Sequence, residues 1–217
     1  MIDLYTLPTP NGQKASIALE ELKLPHETHV INIMKGDQFT PDYIKINPNS
    51  KIPSIVDREG PGGQPLTIME SGAILIYLAE KTGQLMPSEP SKKSEFLQWM
   101  FFQVGHIGPM FGQFGHFFRY AGDACDHPYP VERYTKETKR LLKVLDDRLK
   151  QVDGQWVLGE DYSMVDIAIC PWVNCLGEFY KADEQLQLAE YKHVNQWASA
   201  FNEREAVKIG RTVGNPD

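Results

Sequence analysis

The chain is poor in cysteine, has no long apolar run and carries no surplus of positive charge. Its three cysteines, Cys125, Cys170 and Cys175, form no CxxC pair, and an odd number argues against a secreted disulfide framework. Cys170 and Cys175 are five residues apart on a predicted helix, a spacing that puts them on different faces rather than on one metal-binding stripe. They are expected as small core residues, while Cys125 stands in a polar loop as an exposed thiol. His106 and His116 share no helical face, so no metal is expected between them. The longest apolar stretch, around Ala73 to Ala79, falls far short of the roughly 20 residues that a spanning helix needs. A formal charge of −7 disfavours binding to a phosphate backbone, so nucleic acid is not an expected partner. Met1 leads straight into Ile2-Asp3-Leu4-Tyr5 without a basic and apolar leader, and a soluble cytoplasmic protein is expected. There is no internal repeat and no low-complexity tract.

What remains is an ordinary globular composition, 41% apolar over 217 residues, written in two patterns. Through residue 81 the element types alternate. A strand at Ile2 to Thr6 precedes a helix from about Gly12 to Leu22, and a strand at Thr28 to Ile33 precedes a short helix from Pro41 to Ile46. Strands at Pro53 to Asp57 and Leu66 to Met69 then form a hairpin around Gly60, Pro61, Gly62 and Gly63, and a helix runs from Ser71 to Lys81. The order is βαβαββα, and residues 1–81 read as a thioredoxin-like domain. Residues 82–91, with Gly83, Pro87 and Pro90, read as a linker, and 92–217 as an all-helical domain. Its helices are expected near Lys92 to Tyr120, Pro130 to Val152, Ser163 to Leu176 and Tyr191 to Glu203, with a kink or break at Gly108-Pro109. Ser163 and Asp166 make a capping-box variant that starts the third of these.

Three short segments have the residue types for chemistry. Pro53, opening a strand, is ordinarily a trans edge residue; in the thioredoxin-like order the corresponding proline is cis, which turns the backbone of Ile52 toward a ligand. Glu70-Ser71 opens a helix, either as a plain cap or as a site where hydroxyl and amide groups bind a carboxylate while the acid pairs with an ammonium. Together the two suit a small extended peptide carrying its own amine and carboxylate, such as glutathione, with Lys51 and Gln38 able to reach its glycyl end. Thr9-Pro10-Asn11-Gly12 is either a turn with a cap or the place where a helix N-terminus and a side-chain donor favour a thiolate.

The chain resembles cytosolic glutathione transferases over essentially its whole length, most closely the bacterial nu class, which in turn resembles the C-terminal domain of the yeast nitrogen-regulatory prion protein. The resemblance rests on Thr9-Pro10-Asn11-Gly12, Gly36-Asp37-Gln38-Phe39, Asn47 through Pro53, Glu70-Ser71-Gly72-Ala73, Leu97-Gln98-Trp99, Gly108 through Gln113, Glu132-Arg133-Tyr134 and Tyr162 through Ala168. It implies a thioredoxin-like domain joined to an all-helical one, in a homodimer. It also implies that Thr9 and Asn11 neighbour the glutathione sulfur and that Asn11, Gln38, Lys51, Ile52, Pro53, Glu70 and Ser71 hold the tripeptide. Arg133 would reach across from the partner subunit; alternatively it is a solvated surface charge.

With Thr9 and Asn11 but no cysteine at this turn, bound glutathione would supply the thiolate itself. The nu-class resemblance favours glutathione-dependent reduction of a small disulfide, with conjugation to an electrophile as a second activity. Glutathione would then be a co-substrate, as two molecules or as glutathione disulfide, and no metal is called for. Phe111, Phe114, Phe117, Phe118 and Tyr120 are either core filler or the lining of a second-substrate pocket between the domains. The alternative is a regulatory or structural protein of transferase fold that binds glutathione with little turnover.

Overall fold

The computed structural model of the protein describes residues 1–215. Ile2 and Leu4 alternate with more polar neighbours in β1 (Ile2–Thr6) and are buried in the core. The next element, α1 (Pro10–Glu21), buries Ala15, Ile17, Ala18 and Leu19 completely. It leads to β2 (His26–Val30), which lies parallel to β1 with Ile2 opposite His26, as a strand-helix-strand crossover allows. This strand starts and ends earlier than the sequence pattern predicts. The chain leaves the sheet at Asn32, whose N–H donates to Asp37 Oδ2 and whose Oδ1 accepts from the Met34 N–H, so local side-chain bonds replace the ladder.

After α2 (Pro41–Ile46), β3 (Ser54–Asp57) and β4 (Leu66–Met69) form the expected antiparallel hairpin. Because β3 also pairs antiparallel with β1, the sheet order is β2-β1-β3-β4. The last element of the alternating region, α3 (Ser71–Thr82), sends Ile74, Leu75 and Leu78 into the same core as α1.

The chain divides into two compact units, Met1–Met86 together with the segment from Glu203 onward, and Pro87–Asn202. The sequence pattern groups 92–217 as helical; residues 216 and 217 lie outside the described residues, and the structure packs the segment just before them with the sheet. There α10 (Glu205–Gly210) lies on α1, where a side chain at Gly210 would stand 2.6 Å from the Ile17 Cα. Ser16 Oγ donates to the Gly210 carbonyl at 2.7 Å, and Arg204 makes a two-bond pair with Glu21 at 2.6 and 2.8 Å. Helical periodicity in sequence identifies these residues as helix, but the sequence does not show which core they join.

In the helical unit, α4 (Pro90–Phe102) passes through a π-helical turn at Gln103–Ile107 into α5 (Gly108–Gly115), and a second π-helical turn follows at His116–Tyr120. The expected break at Gly108-Pro109 is instead a widened turn, which accommodates the proline ring without leaving helical backbone. Next come α6 (Tyr129–Gln151), α7 (Met164–Glu178), the short α8 (Asp183–Leu186) and α9 (Lys192–Glu203).

The start of α7 carries the predicted capping box, and the buried Asp166 does more than cap. Its carboxylate accepts from the N–H groups of Val157 and Ser163, the Ser163 hydroxyl and the Trp197 indole N–H, all between 2.9 and 3.1 Å. It therefore joins the preceding loop, α7 and α9. Asp166→Ala is expected to lower stability by about 3 kcal/mol or more, since four buried donors lose a charged acceptor. Urea unfolding measures this; a loss below about 1 kcal/mol would contradict it.

Candidate functional site

Strand register brings the three motifs together. Tyr5 lies opposite Ser54 and Ser54 opposite Met69, so the residues following β1, those preceding β3 and those following β4 emerge at one end of the sheet. They are Thr9 and Asn11, Ile52 and Pro53, and Glu70 and Ser71.

The Ile52-Pro53 bond is cis. Two bonds onto the Lys51 carbonyl hold the preceding turn, one from the Tyr43 hydroxyl at 2.6 Å and one from the Asn47 side-chain amide at 2.7 Å. Tyr43 and Asn47 are buried, so this anchor is protected from water. The Ile52 side chain is buried, and neither its N–H nor its C=O has a partner among the described residues. Unpaired backbone groups beside a strand start can take an extended peptide.

Glu70 has φ 69° and ψ 116°, a conformation that costs a non-glycine residue on the order of 1–3 kcal/mol. Its side chain does not cap α3; it is exposed and accepts from Asn49 Nδ2 at 3.5 Å. The amides of Ser71, Gly72 and Ala73 precede the first intrahelical bond, which runs from the Ile74 N–H to the Glu70 carbonyl. These three donors thus remain open at the positive end of a twelve-residue helix. An exposed carboxylate beside open amides and a hydroxyl is what an amino-acid head group requires.

Thr9 is the N-cap of α1: its hydroxyl oxygen accepts from the Gly12 N–H at 3.3 Å. That use of a lone pair leaves the hydroxyl proton available to an acceptor outside the helix. Gly12 is required here because a Cβ would stand 1.9 Å from the Leu7 carbonyl oxygen and 2.5 Å from Thr6 Oγ1 at the end of β1. Asn11 follows in the first turn and is half-buried.

Gln38 sits in a 3₁₀ turn, where its Nε2 donates to the Ile33 carbonyl at 3.3 Å and its buried Oε1 has no partner. Its Oε1 can accept from an N–H donor, and the second Nε2 proton remains a donor. Lys51 is exposed. Of the five aromatic residues, Phe111 and Phe114 are wholly buried in the helical unit and serve as core. Phe117 is half-buried and stacks on Tyr134, Phe118 is half-buried and stacks on Phe114, and Tyr120 is exposed. Arg133 is exposed on α6 and lines a groove of about 610 Å³ with Met110, Tyr129, Tyr134 and Arg140.

The cysteines all belong to the helical unit. Cys170 and Cys175 are buried, and burial pushes the Cys175 thiol up to about 11, away from thiolate chemistry. Asp3, Glu27 and His29 have metal-like spacing among the described residues, but Arg58 already occupies the cluster. Its guanidinium donates to both Asp3 oxygens at 2.7 and 2.5 Å and to Glu27 at 2.7 Å, which holds the Asp3 carboxyl down to about 2.

Sequence reading missed Lys14, a lysine of α1 that is 1% exposed, with its Nζ 3.3 Å from Ser71 Oγ. The available signal was one charge next to the small and apolar run Ala15 to Leu19.

Two family models match the chain: the glutathione S-transferase N-terminal domain over residues 9–81 and the glutathione S-transferase C-terminal domain over 124–205. The disulfide-bond oxidoreductase YfcG of Escherichia coli is 45% identical over 208 residues, covering 95% of this chain and 93% of its own. A glutathione transferase from Burkholderia graminis, solved with two glutathione molecules bound per subunit, superposes with a TM-score of 0.97 at 48% identity. That match covers 100% of this chain and 89% of the other. One from Pseudomonas putida, with one glutathione disulfide bound per subunit, gives 0.94 at 48% identity, covering 98% and 91%.

Gly12→Ala is expected to lower the thermal midpoint by about 5 °C or more, because the clash is with backbone and α1 must shift at Thr9. Gly105→Ala, where nothing beyond the adjoining backbone of its own helix lies within 4 Å of the added carbon, provides the control and should leave the midpoint unchanged or slightly raised. Equal midpoints for the two variants would contradict the close approach at Gly12.

Proposed function

The chain belongs to the glutathione S-transferase family, and from that premise we propose that it is a glutathione-dependent disulfide-bond reductase working through the thiolate of bound glutathione, without a catalytic cysteine of its own. The observation that carries the reading is Thr9: a helix N-cap whose oxygen is engaged by Gly12 and whose proton is free, at the sheet end that also presents Ile52 and Ser71. The disulfide-bond oxidoreductase among the relatives and the glutathione disulfide in the Pseudomonas putida enzyme support it.

Ile52 offers strand-like pairing to the cysteinyl part of the tripeptide. Glu70 pairs with the γ-glutamyl ammonium, and Ser71 with the open amides of α3 receives the carboxylate. Lys51 receives the glycyl carboxylate and Gln38 an N–H. The sulfur then lies against the Thr9 hydroxyl and the Asn11 side chain. A free thiol titrates near 8.5, and lowering it to neutrality requires about 2 kcal/mol of preferential stabilisation of the thiolate. One or two hydrogen bonds to a charged acceptor, at about 1.5–3 kcal/mol each, suffice.

The first thiolate attacks one sulfur of the substrate disulfide, forming a mixed disulfide with glutathione and releasing the other half as a thiolate. A second glutathione thiolate attacks the glutathione sulfur of that species and releases the second half. Two glutathiones are oxidised to one glutathione disulfide while the substrate disulfide is reduced to two thiols. Conjugation of glutathione to an electrophilic carbon uses the same thiolate and is a second activity. Phe117, Phe118 and Tyr120 are the aromatic surface proposed for the second substrate. In a homodimer Arg133 is proposed to serve the partner's glutathione. No helix among the described residues is long and apolar enough to cross a membrane.

Glutathione-dependent reduction of hydroxyethyl disulfide, run beside chlorodinitrobenzene conjugation, tests the reading. Thr9→Ala is expected to lower kcat/KM for the disulfide by about 10- to 100-fold, the value of one charge-assisted hydrogen bond, and Asn11→Ala to lower it in the same direction. Cys125→Ser, Cys170→Ser and Cys175→Ser should stay within about twofold of the parent. Retained glutathione binding with no turnover in either assay would leave a silent binding protein and refute the enzyme reading.

A further inference from the structure

Lys14 is among the largest fully buried side chains of the protein, yet it is a cation with little to hold it. Its Nζ has one hydrogen bond among the described residues, to Ser71 Oγ at 3.3 Å, so two of its three donors go unused. Burying a charge on such terms opposes folding unless an anion compensates. Accordingly burial lowers the Lys14 pKa to about 7, with the Glu70 carboxylate acting in the other direction. The Glu70 side chain is exposed and already accepts from Asn49, so it is not a buried counterion.

The missing anion has an obvious place. Ser71 opens α3, where three amides are open, and an ammonium can only donate. In its protonated form, which an anion bound at this helix start favours, Lys14 can only donate to the Ser71 oxygen, so Ser71 turns its own proton elsewhere, toward the ligand side. In that form Lys14 fixes the direction of the hydroxyl and adds a positive charge one atom behind it.

We propose that Lys14 is a positioning and specificity-determining residue for the α-carboxylate of the γ-glutamyl group, selecting an anionic head group over a neutral one through Ser71. The inference rests on the reading that this site binds glutathione and extends it: recognition of the carboxylate is shared between the open end of α3 and a buried cation behind it.

Calorimetry with S-methylglutathione and with its γ-glutamyl α-carboxamide tests it, since the two differ only at this carboxylate and neither has a free thiol. The parent protein should favour the carboxylate by about 100-fold, and Lys14→Met should reduce that ratio to about tenfold or less, the remainder belonging to the α3 amides. Ligand-free Lys14→Met should melt at or above the parent temperature, because the poorly compensated charge is gone. A structural lysine would behave in the opposite way. An unchanged ratio in folded Lys14→Met, or a variant that does not fold, overturns the proposal. Equal binding of the two ligands by the parent overturns it while leaving the glutathione reading intact; binding of neither overturns both.

Discussion

The registration of β3 between β1 and β4 governs everything this molecule can do with a ligand. Tyr5 opposite Ser54, and Ser54 opposite Met69, is a statement about backbone pairing in a core lined by Leu4 and Ile55. Its consequence is that three chain segments far apart in sequence leave the sheet side by side. A slip of one residue would turn Ile55 out of the core and separate Glu70-Ser71 from Ile52-Pro53. The apolar side chains that forbid the slip therefore also fix the ligand site, and no separate device is needed to hold it.

On that frame the two helix starts follow one electrostatic logic. Thr9 and Ser71 each have a hydroxyl whose oxygen accepts from inside the protein, from the Gly12 amide in one case and from Lys14 in the other. A hydroxyl has one proton, so in both cases it is left to face outward. Both helices thereby present a donor at their positive ends, one suited to a thiolate and one to a carboxylate. An extended tripeptide with a thiol in its middle and an amino-acid head at one end matches this pair of donors with Ile52 between them.

How far the sequence reveals this depends on the range of the forces involved. The alternating and helical patterns, the hairpin and the Ser163 capping box are local, and they are legible to within a few residues. Glu70-Ser71 and Thr9 are legible because helix starts select short polar side chains. The strained backbone of Glu70 is not, since nothing in the residue type calls for φ 69°. Nor is the attachment of α10 to α1, which depends on Gly210 fitting against Ile17. Gln38 is picked out by sequence, but that its Nε2 bonds the Ile33 carbonyl while its buried Oε1 stays open depends on the fold of the turn. Phe111 and Phe114 enter a list of pocket candidates because aromatic residues look alike in sequence whether they line a cavity or fill a core.

Two buried charges show how structural and functional ionisable groups can be told apart on physical grounds. Asp166 takes four hydrogen bonds from three parts of the helical unit, so although burial still raises its pKa, its acceptor groups are supplied with donors where it sits. Lys14 has one bond and a depressed pKa, in a helix whose other buried residues are small or apolar. A group that is fully satisfied explains itself through the fold. A group that is not satisfied loads the fold with an unmet cost, and the unmet cost points to what is missing: for Lys14, an anion at the open end of α3. Glu70 adds a second such load in its backbone, on the adjoining residue. That two unfavourable terms adjoin the same three open amides is what separates this helix start from an ordinary capped one.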